Sequence, residues 1–141
     1  MGVSPLDMLE DAANQSQLKY QKIDDHTLYF PFTGEFSQSI SVFAIYQHPV
    51  IVVSSPVLEG AAKDNDPALL TEFLVLSNEL DFAKVCFDHH TETLGIRIDF
   101  HAENVTSELL LNSLYLAAQA SNQIHRIMKS HGATAEQNAP A

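Results

Sequence analysis

Residues 69–128 decide the fold, because they predict a helix, a two-stranded hairpin and a long helix in succession. The segment begins LLTEFLVLSNEL at 69–80 and continues DFAKVCFD at 81–88 and TLGIRIDF at 93–100. Helical spacing of apolar residues gives way to strict alternation, and helical spacing returns from about Thr106. With the strands that precede it, this order predicts an α+β protein: helix, β-strands, helix, β-hairpin, helix, with the helices packed on an antiparallel sheet.

The hairpin at the centre of this segment has a register that follows from its alternation. A loop at 89–92 pairs apolar residues across the two strands, Phe87 with Leu94 and Val85 with Ile96. Because side chains alternate between the two faces of a strand, all four share one face. We expect that face to pack on the core.

The polar face of the same hairpin carries two cations in opposed positions. The predicted register sets Lys84 directly opposite Arg97, and like charges so placed repel each other. Either Asp88 and Asp99 neutralise these two cations locally, or the two cations are available to bind a carboxylate of a partner. Local neutralisation is favoured, because surface charges usually balance against their neighbours. Lys84 and Arg97 remain candidate partner contacts.

Two helix starts share one signal, a capping residue followed by proline. The first helix begins at Ser4-Pro5 and is expected to end near Gln17. The second begins at Asp66-Pro67. Its predicted buried side consists of Leu69, Leu70, Phe73, Leu74, Leu76, Ser77 and Leu80.

The third helix ends before Gly132 and has apolar residues at alternating spacings of four and three. This predicted packing seam consists of Leu110, Leu114, Ala117, Ser121, Ile124 and Met128. Residues 1–131 are therefore expected to form one domain. The small polar residues at 132–141 are expected to be a disordered tail, and 59–66 a flexible connector.

Four strands are predicted between the first two helices: Lys19–Ile23, Thr27–Phe32, Ser39–Tyr46 and Val50–Val53. The last two are apolar on both faces, with Phe43 and Ile45 on the face opposite Val42 and Ala44. Such strands are usually central in a sheet that is covered on both sides. Phe43 and Ile45 are therefore candidate partner contacts, and the second cover is a helix or another subunit.

The composition narrows the class of protein. The chain has 18 acidic and 7 basic residues, a net charge of −11, which disfavours nucleic acids and anionic membranes as partners. A single cysteine, Cys86, allows no internal disulfide and fits a reducing cytoplasm. The N-terminus has no signal-peptide pattern, and no apolar run approaches the ~20 residues of a membrane span.

The chain resembles the YbjN family, whose fold is that of the type III secretion chaperones. The most specific part is LSNELDFAKVCFD at 76–88: a Leu-x-Asn containing Asn78 ends the central helix, Phe82 makes a short apolar step, and Val85 and Phe87 alternate in the strand. The segments LKY at 18–20, TLYFPF at 27–32 and LYLA at 114–117 are similar to cyanobacterial-type members. The chain departs from the pattern at Ala83, where many members carry glycine. The resemblance implies frequent dimerisation, no established catalytic residue, and a chaperone-like or regulatory role.

Candidate chemistry is sparse. The hairpin turn offers Asp88, His89, His90 and Glu92 as metal ligands, but His101 lies roughly 30 Å away at the end of the return strand. Cys86 has no activating base beside it in the sequence, and catalytic motifs are absent. Asn78, near the end of a helix, is expected to bond the backbone and fix the following turn.

The sequence thus favours a non-catalytic protein-interaction module, a homodimer that binds an unknown protein partner and needs no cofactor. A small-molecule-binding or metal-binding domain that uses the His-rich hairpin, Asp88–Glu92, is the alternative. A transcriptional or signalling regulator acting only through protein contacts fits the first description equally well.

Overall fold

The computed structural model describes residues 4–59 and 67–130, in which three helices pack on one antiparallel sheet. The elements are α1 (Pro5–Gln15), β1 (Gln21–Asp24), β2 (Thr27–Phe32), β3 (Ile40–Gln47), β4 (Val50–Glu59), α2 (Pro67–Glu79), β5 (Lys84–Asp88), β6 (Thr93–His101), a 3-10 turn (Ala102–Asn104) and α3 (Ser107–Ser130). The strand order is β1-β2-β3-β4-β6-β5. The predicted α+β architecture is confirmed.

The helices cover one face of the sheet, which we call the covered face. Its side chains alternate along each strand and are almost fully buried: Leu28, Phe30, Val42, Ala44, Ile51, Val53, Ile96 and Ile98. The central strands β3, β4 and β6 pack against α3, while α1 lies against α3 and β3, and α2 lies against β5 and α3. All six residues of the predicted α3 seam are buried, so that prediction is confirmed. Each large apolar side chain buried here contributes about 1.5–3 kcal/mol.

The predicted hairpin register is confirmed residue by residue. Phe87 pairs with Leu94, Val85 pairs with Ile96, and the loop between the strands is 89–92. In the sheet, β6 also pairs along its other edge with β4, so the hairpin is added to the N-terminal strands through β6.

The helix ends follow local chemistry. Ser4 caps α1, because its Oγ accepts a hydrogen bond from the Leu6 N–H at 3.3 Å. The helix ends at Gln15, two residues earlier than expected. Gln17 has a left-handed φ of 58°, and the next N–H, that of Leu18, donates back to the Ala13 carbonyl. At the start of α3, Thr106 Oγ1 accepts from the Leu109 N–H at 3.1 Å.

Strand β4 is longer than the sequence predicted, reaching Glu59 instead of Val53. Ser54, Ser55 and Pro56 resemble a strand end, yet Ser55 is fully buried. Its hydroxyl donates to the Ser41 carbonyl at 2.8 Å, which satisfies the buried oxygen. Pro56 is tolerated because the ladder to β6 shifts register just after it.

The prediction for the buried side of α2 is wrong at two positions. Leu69, Phe73 and Leu76 are buried as expected, but Leu70 is 39% exposed and Leu74 is 72% exposed. An apolar residue is present on nearly every side of this helix, so sequence alone could not identify the inward side. The outer side of α2 is consequently an apolar surface.

The predicted disordered tail, 132–141, lies outside the described residues, as do residues 60–66 of the predicted connector. Glu59, the first connector residue, belongs to β4. Within the described ranges, no helix combines the length and apolar character needed to cross a membrane.

Candidate functional site

The face of the sheet opposite the covered face, which we call the open face, brings the four candidate partner contacts together. The register runs straight across five strands, from Tyr29 through Phe43, Ser54 and Arg97 to Lys84. Neighbouring strands lie about 4.8 Å apart, so Phe43 and Lys84 are roughly 14 Å apart. Ile45, Val52 and Asp99 form the adjacent parallel row.

The β2–β4 side of the open face is apolar. Phe43 and Ile45 alternate with Val42 and Ala44, which are fully buried on the covered face, so the first pair is on the open face. The Tyr29 and Phe43 rings contact each other with centroids 5.2 Å apart. These side chains are half-buried by their neighbours, and in the described chain the helices pack on the other face. Strand β3 is central, as predicted.

The β5–β6 side of the open face is charged. Arg97 Nε donates to Asp99 Oδ1 at 2.7 Å, and this hydrogen bond raises the pKa of the Arg97 guanidinium. Both side chains are about half exposed, so the pair stabilises the fold by no more than about 1 kcal/mol. Arg97 is therefore neutralised locally by one of the two expected acids.

Lys84 has a different partner from the one expected. It lies opposite Arg97 in the ladder, but its Nζ donates to the carbonyls of Ser77 at 3.4 Å and Leu80 at 3.3 Å. These carbonyls lie at the C-terminal end of α2, where a cation is favoured by the helix dipole. The lysine thus stabilises a helix end, and its charge is drawn away from Arg97.

Ser77, and not Asn78 as expected, makes the side-chain hydrogen bond that fixes the corner between α2 and β5. The Val85 N–H donates to Ser77 Oγ at 3.1 Å, which ties the end of the helix to the strand. Asn78 itself is exposed on the outer side of α2. The Ser77 hydroxyl could have been proposed from sequence, since serine bonds nearby backbone as readily as asparagine.

The apolar residues of the family-like motif have unequal burial. Val85 is half-buried and packs against the core. Phe87 is 45% exposed and Phe82 is 64% exposed, although both belong to the segment that connects buried elements. Both rings are therefore exposed apolar surface in the described chain.

Cys86 lies on the open face, where the charge of the Arg97 guanidinium affects the pKa of its thiol. Burial raises the pKa of the Cys86 thiol; Arg97 lowers it in part, and Asp99 raises it further. A raised pKa reduces the thiolate fraction, which is the opposite of what a nucleophilic cysteine requires. This environment therefore favours a structural thiol over a nucleophile.

The His-rich hairpin turn is arranged by a local hydrogen bond. Asp88 Oδ1 accepts from the His90 N–H at 2.9 Å, which lowers the pKa of the Asp88 carboxyl. The rings of His89 and His90 contact each other with centroids 4.2 Å apart. Across residues 4–59 and 67–130, no three His, Cys, Asp or Glu side chains are placed to share a metal ion. The alternative of a metal-binding or small-molecule-binding hairpin is thus not supported.

The comparisons with known proteins show the fold. No protein-family model matches the sequence, and no curated protein sequence matches it. YbjN from E. coli, proposed to be a transcription regulator, matches with a TM-score of 0.68 at 13% identity, over 94% of this chain and 96% of its own.

Two further solved structures are complexes. A chain of the ExsC–ExsE complex matches with a TM-score of 0.63 at 14% identity, over 89% of this chain and 96% of its own. A chain of the HopA1–SchA chaperone–effector complex matches with a TM-score of 0.64 at 10% identity, over 86% and 92%. The chain therefore has the type III secretion chaperone-like fold that its resemblance to YbjN implied.

Proposed function

We propose that this chain is a non-catalytic protein-binding module of the cytoplasm that works as a homodimer, in a chaperone-like or regulatory adaptor role. The observation that carries the proposal is the outer side of α2. A helix that is apolar all round is normally buried, yet Leu74 in the middle of this one is 72% exposed.

The surface we assign to the dimer, the α2 stripe, consists of Leu70, Leu74 and Val75. Val75 is 51% exposed, and the residues between the three, Thr71 and Asn78, are uncharged. A second copy can therefore pack its own Leu70 and Leu74 against this pair, with the exposed acids Glu72 and Glu79, which neighbour Val75 on the helix, at the edge of the contact. A twofold contact of this kind uses the same patch on both chains.

The size of the exposed surface supports a dimer. The stripe contributes three apolar side chains that are 39%, 72% and 51% exposed, those of Leu70, Leu74 and Val75. Each presents on the order of 100 Å² to solvent. Together they make up somewhat more than a third of the ~800 Å² per partner of a standard interface, so residues around the stripe, Thr71 and Asn78 among them, must supply the remainder.

The open face is our proposed contact for the protein partner. Supporting this, Phe43, Ile45, Lys84 and Arg97 lie within two adjacent cross-strand rows; Arg97 and Asp99 supply the charged part, while the Lys84 ammonium turns to the end of α2. The fold is shared with a chain of a chaperone–effector complex and with a proposed regulator. Both kinds of role require a docking surface and no reaction.

Light scattering coupled to size-exclusion chromatography on untagged protein tests the dimer. The wild type is expected at twice 15.6 kDa, and Leu74→Glu is expected at the monomer mass. Ile23→Glu is the matched control, because Ile23 is 51% exposed on the edge strand β1, remote from α2 in the sheet order. A monomeric wild type, or a Leu74→Glu protein that stays dimeric, would contradict the α2 stripe.

Partner capture tests the open face. A partner retained by the wild type should be lost from Lys84→Ala/Arg97→Ala and from Phe43→Asp. The matched control is Lys19→Ala/Lys22→Ala, which removes two exposed lysines near the opposite edge of the sheet. If the wild type and all three variants capture the partner equally, the open face is not the surface that binds it.

A further inference from the structure

We infer that the groove between the C-terminal end of α2 and the middle of α3 binds a basic amphipathic segment of another protein. The segment would insert one or two apolar side chains between the helices and place lysine or arginine on the acidic side of the groove. This inference rests on the proposed role as a protein-binding module, but the groove contains no residue of the α2 stripe, and it shares Phe82 alone with the space beside Lys84 and Arg97 on the open face.

The groove is a space of about 530 Å³ with an apolar floor. Two small buried residues, Ala83 and Ala120, form its base, and two larger ones, Phe82 and Leu116, stand on either side. Phe82 is 64% exposed and Leu116 is 41% exposed, so both can contact an inserted side chain. The volume falls within the ~300–1,000 Å³ of ordinary ligand sites.

The sides of the groove differ in charge. Glu79 and Asp81, both exposed, line the side contributed by α2 and the turn that follows it. The α3 side presents amides, those of Gln119, Asn122 and Gln123. No lysine or arginine lines the groove in the described chain; Arg126, further along α3, donates to Gln123 Oε1 at 2.7 Å. The groove therefore offers apolar contact beside two exposed acids, and the one cation held at this end of α2 in the described chain, the Lys84 ammonium, is bound at the Ser77 and Leu80 carbonyls.

Charge complementarity decides between the two candidate occupants. A second copy docked here through a twofold axis would bring Glu79 and Asp81 of one chain towards the same acids of the other. Such juxtaposition is unfavourable and acts against that partner, and the whole chain carries −11. A basic segment gains from both the local acids and the long-range field. An amphipathic helix laid into a groove of this type is a common mode of peptide recognition.

Fluorescence anisotropy with defined peptides tests the inference on the full-length protein. The probe is a labelled synthetic peptide of leucine and lysine, three helical turns long with leucines on one face; its analogue has glutamate in place of every lysine. The test variants are Glu79→Lys/Asp81→Lys, which reverses the acidic side, and Phe82→Ala, which removes an apolar contact. The matched control, Asp11→Lys/Asp25→Lys, makes the same change in net charge at exposed acids outside the groove.

The wild type is expected to bind the lysine peptide and to bind the glutamate analogue at least tenfold more weakly. The groove double variant and Phe82→Ala should each lose about tenfold in affinity, whereas the control double variant should lose about twofold or less. Equal losses in the two double variants would overturn the inference, because binding would then follow net charge alone. No binding by the wild type would also overturn it.

Light scattering with saturating peptide separates this inference from the proposed dimer. If the peptide converts a wild-type dimer into monomers, the groove belongs to the contact between copies and the inference fails. If the peptide binds with groove-dependent affinity and the dimer persists, the inference stands. A wild type that is monomeric yet binds the peptide in the same manner supports the groove and rejects only the dimer.

Discussion

Replacing Gly95 by alanine adds a single methyl group, yet it should lower the free energy of unfolding substantially. Gly95 lies in β6 between β4 and β5, and its pairing partners are Pro56 and Cys86. A Cβ built on Gly95 would lie 2.5 Å from the Ser55 carbonyl oxygen and 2.9 Å from the Pro56 Cα. Both obstacles are backbone atoms of β4, so neither can rotate out of the way.

The cost follows from how far the strands must separate. Ordinary carbon contacts begin near 3.4 Å, so β4 and β6 must move apart by roughly 1 Å, which forfeits a quarter to a half of the local dispersion energy. Overpacking of this kind costs about 1–3 kcal/mol, and the smaller loss of chain entropy for alanine recovers about 0.5–1 kcal/mol. Because the displaced atoms are backbone, we expect the upper part of this range, a net loss of about 2 kcal/mol.

Urea unfolding followed by circular dichroism measures the loss, with Gly34→Ala as the matched control. At Gly34 the obstacles are side-chain atoms, those of Asn122 and Ile40, which can adjust. Its expected cost is about 1 kcal/mol, mainly from disturbing the hydrogen bond that the Phe36 N–H donates to Asn122 Oδ1 at 2.9 Å. The reasoning is refuted if Gly95→Ala unfolds within 0.5 kcal/mol of the wild type, a margin about that of a neutral surface substitution, or if Gly34→Ala costs more.

Two further predictions concern the end of α2 and the open face. Ser77→Ala should cost about 1 kcal/mol in the same unfolding assay, because the Val85 N–H loses its acceptor; Asn78→Ala, at the exposed neighbouring position, should cost less than half as much. The Cys86 thiol should react with iodoacetamide more slowly than free cysteine at neutral pH and accelerate as pH rises, since burial raises its pKa. Arg97→Ala should slow the reaction further by removing the cation that lowers this pKa; an unchanged or faster rate would count against the assigned cause.

The hairpin and α3 could be predicted because each pattern has one interpretation. Strict alternation on both strands with a fixed loop leaves a single register for Phe87 and Leu94, and spacings of four and three define one side of α3. Helix starts at Ser4 and Pro67 followed from capping chemistry. In each case the controlling interactions are local in sequence.

The errors arise where distant parts of the chain decide. The inward side of α2 is set by contacts with β5 and α3, so Leu70 and Leu74 could not be assigned from a helix that is apolar all round. Strand β4 continues through Ser55 because the carbonyl of Ser41, on a neighbouring strand, accepts its hydroxyl.

The candidate site was predicted as separate residues and not as one surface. Phe43 and Ile45 were singled out for apolarity, Lys84 and Arg97 for opposed charge. They share rows on one face because β6 lies between β4 and β5, an order that no local pattern encodes. The acceptors of Lys84 likewise have no signal in the sequence, since they are main-chain carbonyls in the last turn of α2 and just after it.

The position of β6 has a consequence for the newly made chain on the ribosome. Strands β2, β3 and β4 each pair with the strand before them and can form as soon as they are synthesised, but the outer edge of β4 must wait for residues 93–101. At ordinary rates of synthesis, residues 60–101 take roughly 2–8 s to be added. During that interval Ile51 and Val53 lie on an unpaired strand edge, the kind of template that recruits other chains. Slow codons between β4 and β6 should therefore lower soluble yield, whereas slow codons after α3 should not.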